Sequence, residues 1–237
     1  MQTIDILAIA AHRDDVEQTC GGTLLRSAAL GLRTAILDLT QGEAGTRGTA
    51  AERAAEAAAA ARILGVEWRQ ALDIPDGCVE NTWENRLKIA RVVRDLRPRV
   101  VILPYWQARH PDHSITATLG YEACFVAGLA KVETGAPPHR PFKVLYASLY
   151  ADVRPSFVVD ITDHIEQRLQ SLLAYHSQYA NQATGQGLFV PEEEIRERTF
   201  ALARTYGLLA GVRYAEPFVQ KEVGLIDDVT LIPVQSI

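Results

Sequence analysis

The stretch Ile4-Asp5-Ile6-Leu7-Ala8-Ile9-Ala10-Ala11, followed at once by His12-Arg13-Asp14-Asp15-Val16-Glu17, decides the fold. Its apolar half is of strand length, lacks helical spacing, and reads as a strand buried on both faces. Its polar half puts one imidazole and two carboxylates at the carboxyl end of that strand. Open α/β sheets bind their ligands along that edge.

The segments that follow alternate helix and strand. Residues 16–30 read as one helix closed by Gly31, and residues 33–40 as a second buried strand, parallel to the first through a right-handed crossover. Thr49 and Glu52 form a capping box for an alanine-rich helix that ends at Gly65, with its alanines expected to pack closely on the sheet. Residues 67–74 give a third strand, then the turn Pro75-Asp76-Gly77. A helix opens at residues 81–84, carries Leu87, Ile89, Val92, Val93 and Leu96, and stops before Pro98. Residues 99–104 form the fourth strand, whose trailing loop holds Arg109-His110-Pro111-Asp112-His113.

Beyond it the sequence predicts a helix over 114–130 and strands over 143–149 and 156–161. Asp163 and Glu166 read as the cap of a helix with Leu169, Leu172, Leu173 and His176 on one face. A polar loop over 181–187, a helix over 192–209 and an extended return over 213–221 complete the chain. The expected fold is α/β and Rossmann-like: a mostly parallel sheet with helices on both faces, in one domain over residues 1–237.

The composition narrows the function classes. A net charge of −5 gives no electrostatic footprint for nucleic acid or an acidic membrane surface. No apolar run approaches the ~18 residues of a membrane span, and no leader pattern opens the sequence, so a cytoplasmic enzyme is expected. Cys20, Cys78 and Cys124 are widely spaced without a CxxC pair and read as buried free thiols. The glycine-rich residues 41–48 match neither phosphate-loop fingerprint. A nucleotide- or anion-binding domain is therefore the alternative of another class.

The chemistry lies in the two strand-end clusters. His12 and Asp15 are three residues apart, as are His110 and His113, so one helical turn in each loop would aim two side chains at a common point. Three of these four would hold Zn²⁺ with a position left for water, and the same donor types suit Fe(II).

The runs AHRDDVEQTCGGTL and RHPDH resemble the two signatures of the LmbE/PIG-L family of metal-dependent N-deacetylases. LDLTQGEAGTRGT, YHSQY and GVRYAEPF are similar to the same family, and in particular to its bacillithiol-biosynthesis branch, which deacetylates N-acetylglucosaminyl-malate. The resemblance implies that His12, Asp15 and His113 bind zinc and that Asp14 is the general base. It implies that His110 stabilises the oxyanion or protonates the leaving amine, with Asp112 orienting its ring. An N-acetylglucosamine conjugate is the implied substrate, and Arg53 matches an arginine that the family uses to bind it. Arg109 and Arg47 lie in the loops at the same end of the sheet and are the further cations expected to pair with substrate carboxylates. Relatives imply a trimeric or hexameric homo-oligomer. The same chemistry on a secondary-metabolite sugar, a glucosaminyl-inositol or a chitin fragment is the alternative substrate reading. Position 13 carries Arg where the family has Pro, which frees φ and adds a charge to the metal loop.

Overall fold

The computed structural model describes residues 3–148, 152–179 and 191–234. Its strands are β1 (Ile6–Ala10), β2 (Thr34–Asp38), β3 (Trp68–Ala71), β4 (Val100–Pro104), β5 (Lys143–Ala147), β6 (Phe157–Asp160) and β7 (Ala215–Val219). Its helices are α1 (Asp15–Thr19), α2 (Gly21–Ala29), α3 (Ala50–Leu64), α4 (Trp83–Leu96), α5 (Pro111–Ala127), α6 (Ile165–Leu173), α7 (His176–Tyr179) and α8 (Glu192–Leu209).

The strands form one sheet in the order β3-β2-β1-β4-β5-β7-β6. The pairs from β3 through to β5 are parallel, and β7 runs antiparallel to both β5 and β6. The order reverses between β1 and β4, and that switch point is where open α/β sheets form their ligand crevice.

β1 shows why the sheet is covered twice. Leu7 and Ile9 pack into a cluster with Ile89 and Val93 of α4 and Ala123 of α5. Ile6, Ala8 and Ala10 face the opposite cluster with Val16 of α1 and Leu24 and Leu25 of α2. Successive side chains of a strand point to opposite faces, so a strand with two covered faces is apolar throughout.

Several expected elements are redrawn by contacts distant in sequence. The single helix over 16–30 is two, broken at Cys20 (φ −143°, ψ 16°). The break aims the amino end of α2 at a buried carboxylate: Glu216 of β7 accepts the backbone N–H groups of Gly22 and Thr23 at 2.9 and 2.6 Å. A Cβ on Gly22 would stand 2.9 Å from that carboxylate, so the close approach requires glycine.

α5 begins at Pro111 rather than 114, because proline suits the first helical position and His110 caps the turn. The Asp163–Glu166 cap does not form. The helix starts after His164 without a side-chain cap, and Glu166 pairs with Arg196 of α8 at 3.0 Å. α6 ends at Leu173, so His176 does not extend its apolar face; it opens α7 and is exposed.

The Thr49–Glu52 capping box and the left-handed Gly65 cap of α3 are present. Its alanines, however, meet helices more than the sheet. Ala57 and Ala60 pack on Tyr175, and Ala51, Ala54, Ala55 and Ala58 are exposed. Cys20 and Cys124 are buried, whereas Cys78 is exposed. The expected polar loop over 181–187 lies outside the described residues. Among the described residues no helix is long and apolar enough to cross a membrane.

Candidate metal centre

β1 delivers His12 two residues past its end, and α1 turns Asp15 back toward it. The Asp15 carboxylate accepts the His12 backbone N–H at 2.8 Å, which fixes the loop locally. From β4, residues 105–109 lead to His110 at the helix N-cap position, and α5 places His113 in its first turn. The two clusters therefore meet across the switch point.

Their donors converge closely. His12 Nδ1 is 3.1 Å from His113 Nε2 and 3.4 Å from Asp15 Oδ2, and His113 Nε2 is 3.1 Å from Asp15 Oδ1. A tetrahedron with metal–donor bonds of 2.0–2.1 Å has edges of about 3.3 Å. Asp15 reaches the two rings through different carboxylate oxygens, so the His/Asp cluster suits a divalent ion in donor type and gathers its donors at about the spacing of such a site. His110 also brings a nitrogen within 4.8 Å of those of His12 and His113, but its Nδ1 already accepts the Asp112 N–H at 3.2 Å.

The far side of His12 is held as well. Its Nε2 stands 3.1 Å from Asp76 Oδ1 and 3.5 Å from Asp112 Oδ2. A proton on Nε2, shared with Asp76, leaves the Nδ1 lone pair facing His113 and Asp15, the arrangement usual for a metal-binding imidazole.

The electrostatics agree. Burial alone would lower the pKa of His12, but Asp15 and Asp76 outweigh it and push it up to about 11. Burial raises that of Asp15, yet the charges of His113 and His12 hold it well below the usual carboxylate range. Burial lowers that of His113 and Asp15 raises it more. Without a metal, the buried carboxylate draws protons onto both rings, which marks a place built for positive charge.

Asp14 occupies the N-cap position of α1 but makes no side-chain cap bond. Its Oδ1 instead pairs with Arg53 Nη2 at 3.1 Å, and its Oδ2 accepts from Tyr179 Oη at 3.0 Å and Gln18 Nε2 at 3.2 Å. Two of these three donors, Arg53 and Tyr179, come from elements distant in sequence, and none is a backbone N–H of the helix end that an N-cap side chain would serve.

The arginines separate. Arg53 is buried against Asp14, and the glycine-rich loop closes over its guanidinium: a Cβ at Gly42, whose φ is +74°, would meet Nη1 at 2.3 Å. That loop cradles a cation of this chain, which accounts for its glycines without a phosphate. Arg47 is buried too, donating to the Gln178 carbonyl at 3.0 Å while Gln178 donates back at 2.8 Å. Arg109 is exposed in the loop before His110. Arg13 is buried and donates to the Ala50 carbonyl at 2.6 Å, so the residue that replaces the family proline clamps the loop after β1 to α3.

The Asp112 carboxylate does not hold the His110 ring. It accepts the N–H groups of Gly77 and Val79 at 2.9 and 3.4 Å, and its backbone N–H meets the imidazole. With Nδ1 accepting, the neutral His110 ring carries its proton on Nε2. Burial, followed by the neighbouring charges of His12 and His113, lowers its pKa and keeps it neutral. Asp76 and Gln18 were not legible as site residues; Asp76 sits in a Pro-Asp-Gly turn, where an aspartate needs no further explanation.

Residues 7–124 match the family described as PIG-L, GlcNAc-PI de-N-acetylase. The chain is 33% identical over 231 residues to diacetylchitobiose deacetylase of Thermococcus kodakarensis, covering 89% of this chain and 80% of that one. Among solved structures it is similar to the conserved protein TT1542 from Thermus thermophilus. That match has 41% identity and a TM-score of 0.86, and covers 95% and 98% of the two chains. It is also similar to N,N'-diacetylchitobiose deacetylase from Pyrococcus horikoshii, with 26% identity, a TM-score of 0.79, and 90% and 82% covered.

Proposed function

The chain belongs to the PIG-L family of N-deacetylases, and from that premise we propose that it hydrolyses the acetamide of a small N-acetylglucosamine saccharide such as diacetylchitobiose. Acetate and a free amine are the products. The observation that carries this reading is the triangle of His12, Asp15 and His113 donors beside a carboxylate, Asp14, that binds elsewhere.

In this reading His12, Asp15 and His113 hold a divalent ion, with zinc favoured by the two imidazoles and one carboxylate. Such an ion supplies Lewis acidity to a water molecule and to the amide oxygen. Asp14 accepts the proton released as water attacks the carbonyl carbon, then returns it to the nitrogen as the C–N bond breaks. Arg53, Tyr179 and Gln18 fix its two oxygens in place for both transfers. His110, neutral and protonated on Nε2, donates a hydrogen bond to the carbonyl oxygen as negative charge builds there.

The relatives favour a neutral chito-oligosaccharide over the malate conjugate expected from the sequence resemblance. Two of the three arginines expected to bind carboxylates have their guanidinium groups on Asp14 and on the Gln178 carbonyl instead. Comparing amine release from N,N'-diacetylchitobiose and N-acetylglucosaminyl-malate by metal-loaded protein decides between them. A higher kcat/KM on the malate conjugate would reverse the choice.

Homo-oligomeric assembly belongs to the same proposal. Phe142, Val223 and Leu225 are 83%, 97% and 94% exposed around one groove, an apolar surface that a second copy would cover. Light scattering on the purified chain tests it, and a monomer at micromolar concentration would rule it out.

A further inference from the structure

We propose that the buried pair Arg168 and Glu216 is a positioning device for this site: it holds open a break between two helices, and the break sets where α1 carries Asp14 and Asp15. This rests on the N-deacylation reading above. It adds two residues that act on the site without touching substrate.

α1 has five residues, too few to stand alone, since isolated helices below about 12–15 residues are marginal in water. Asp14 occupies its N-cap position, Asp15 opens it, and Gln18 donates from it back to Asp14 at 3.2 Å. Joined to α2 it would gain the length it lacks, and residues 16–30 read as one such helix in the sequence. Something must keep the two apart.

In a continuous helix the N–H groups of Gly21 and Gly22 would bond the carbonyls of Glu17 and Gln18. Neither bond forms across the turn at Cys20. Both sides of the break go instead to one ion pair. Arg168 of α6 donates from Nε to the Glu17 carbonyl at 3.1 Å and from Nη2 to the Gln18 carbonyl. Glu216 of β7 accepts the N–H of Gly22, and the N–H and hydroxyl of Thr23, the last two both at 2.6 Å. Arg168 Nε and Glu216 Oε1 stand 3.1 Å apart.

The charges are placed as the helix ends require. A cation faces carbonyls at the carboxyl end of α1, and an anion faces N–H groups at the amino end of α2. Both side chains are buried, Glu216 to 1% exposure. A buried ion pair is a weak source of stability, because desolvation offsets its attraction, and packed apolar residues commonly serve stability as well. What they would not supply is the break. The direction of α1, and with it the placement of Asp14 and Asp15 at its start, follows from that break.

The test is the double variant Arg168→Met/Glu216→Gln of the full chain, which removes both charges, beside Arg168→Lys, which keeps a cation facing Glu216. Circular dichroism and thermal melting establish that each is folded at the assay temperature. The double variant should bind zinc about tenfold more weakly in competition against a chromophoric chelator. When metal-loaded it should lose about 10²-fold in kcat on N,N'-diacetylchitobiose with KM little changed, the scale of a small misplacement of a reacting group. Arg168→Lys should retain much of both. A folded double variant with wild-type zinc affinity and kcat would overturn the proposal, and so would a loss confined to KM. If the double variant does not fold, Glu216→Gln alone carries the test with the same expectations. A wild-type chain that releases no amine would remove the deacetylation reading, while the zinc competition would still decide the role of the pair.

Discussion

His12 Nε2 lies 3.1 Å from Asp76 Oδ1, so the ring that faces His113 through one nitrogen is held by a carboxylate through the other. Asp76 comes from the turn after β3 and belongs to neither histidine motif. Its Oδ2 also accepts the Ala44 N–H at 3.1 Å, tying the glycine-rich loop to the centre. Asp76→Ala should weaken metal binding by about 10–100-fold while the protein stays folded. Competition against a chromophoric chelator measures this, and unchanged affinity would contradict the role.

Metal uptake should release protons. In the metal-free centre His12 is surrounded by Asp15, Asp76 and Asp112 and by the rings of His110 and His113. Burial favours its neutral form, but the carboxylates push its pKa up to about 11, so it is protonated at neutral pH. A metal must displace that proton, and affinity should rise by about tenfold per pH unit for each proton displaced. Calorimetry in two buffers of different ionisation enthalpy reads the proton count. Affinity flat between pH 6 and 8 would contradict this.

Arg53 should act on kcat. Its Nη2 holds Asp14 Oδ1 at 3.1 Å from a buried position. Arg53→Met should lower kcat by about 10²-fold, the scale of a small misplacement of a reacting group, with metal content and KM little changed. An effect confined to KM would return Arg53 to the substrate-binding role expected from the sequence.

Arg69 should matter for stability. Between Glu17 at 2.6 Å and Asp38 at 2.8 Å it compensates two buried carboxylates, and it also donates to the Arg13 carbonyl in the metal loop. Arg69→Met leaves both acids unpaired and should cost about 3–5 kcal/mol. Urea unfolding tests this; a loss under about 1 kcal/mol would show that the network relaxes.

The parallel sheet was legible because β1, β2 and β4 are buried on both faces and therefore read as apolar runs. The two clusters were legible because a buried strand ends before each, which predicts where they meet. What escaped depends on partners distant in sequence. Cys20 breaks its helix because Glu216, from the last strand, seeks the N–H groups of Gly22 and Thr23. His110 starts α5 early because its ring takes the place of a Ser or Thr cap. Arg47 and Arg53 looked like substrate contacts because the sequence does not show that Gln178 and Asp14 already engage them.

The central claim, metal-dependent deacetylation with Asp14 as its base, is tested most directly by amine release from N,N'-diacetylchitobiose. Metal-loaded protein, chelator-stripped protein and the Asp14→Ala variant are assayed together, with bound metal measured in each. The account predicts release only from the loaded wild-type protein, with Asp14→Ala retaining its metal and losing about 10²–10⁴-fold in rate. Release that survives chelation, or an Asp14→Ala protein with undiminished turnover, would contradict it.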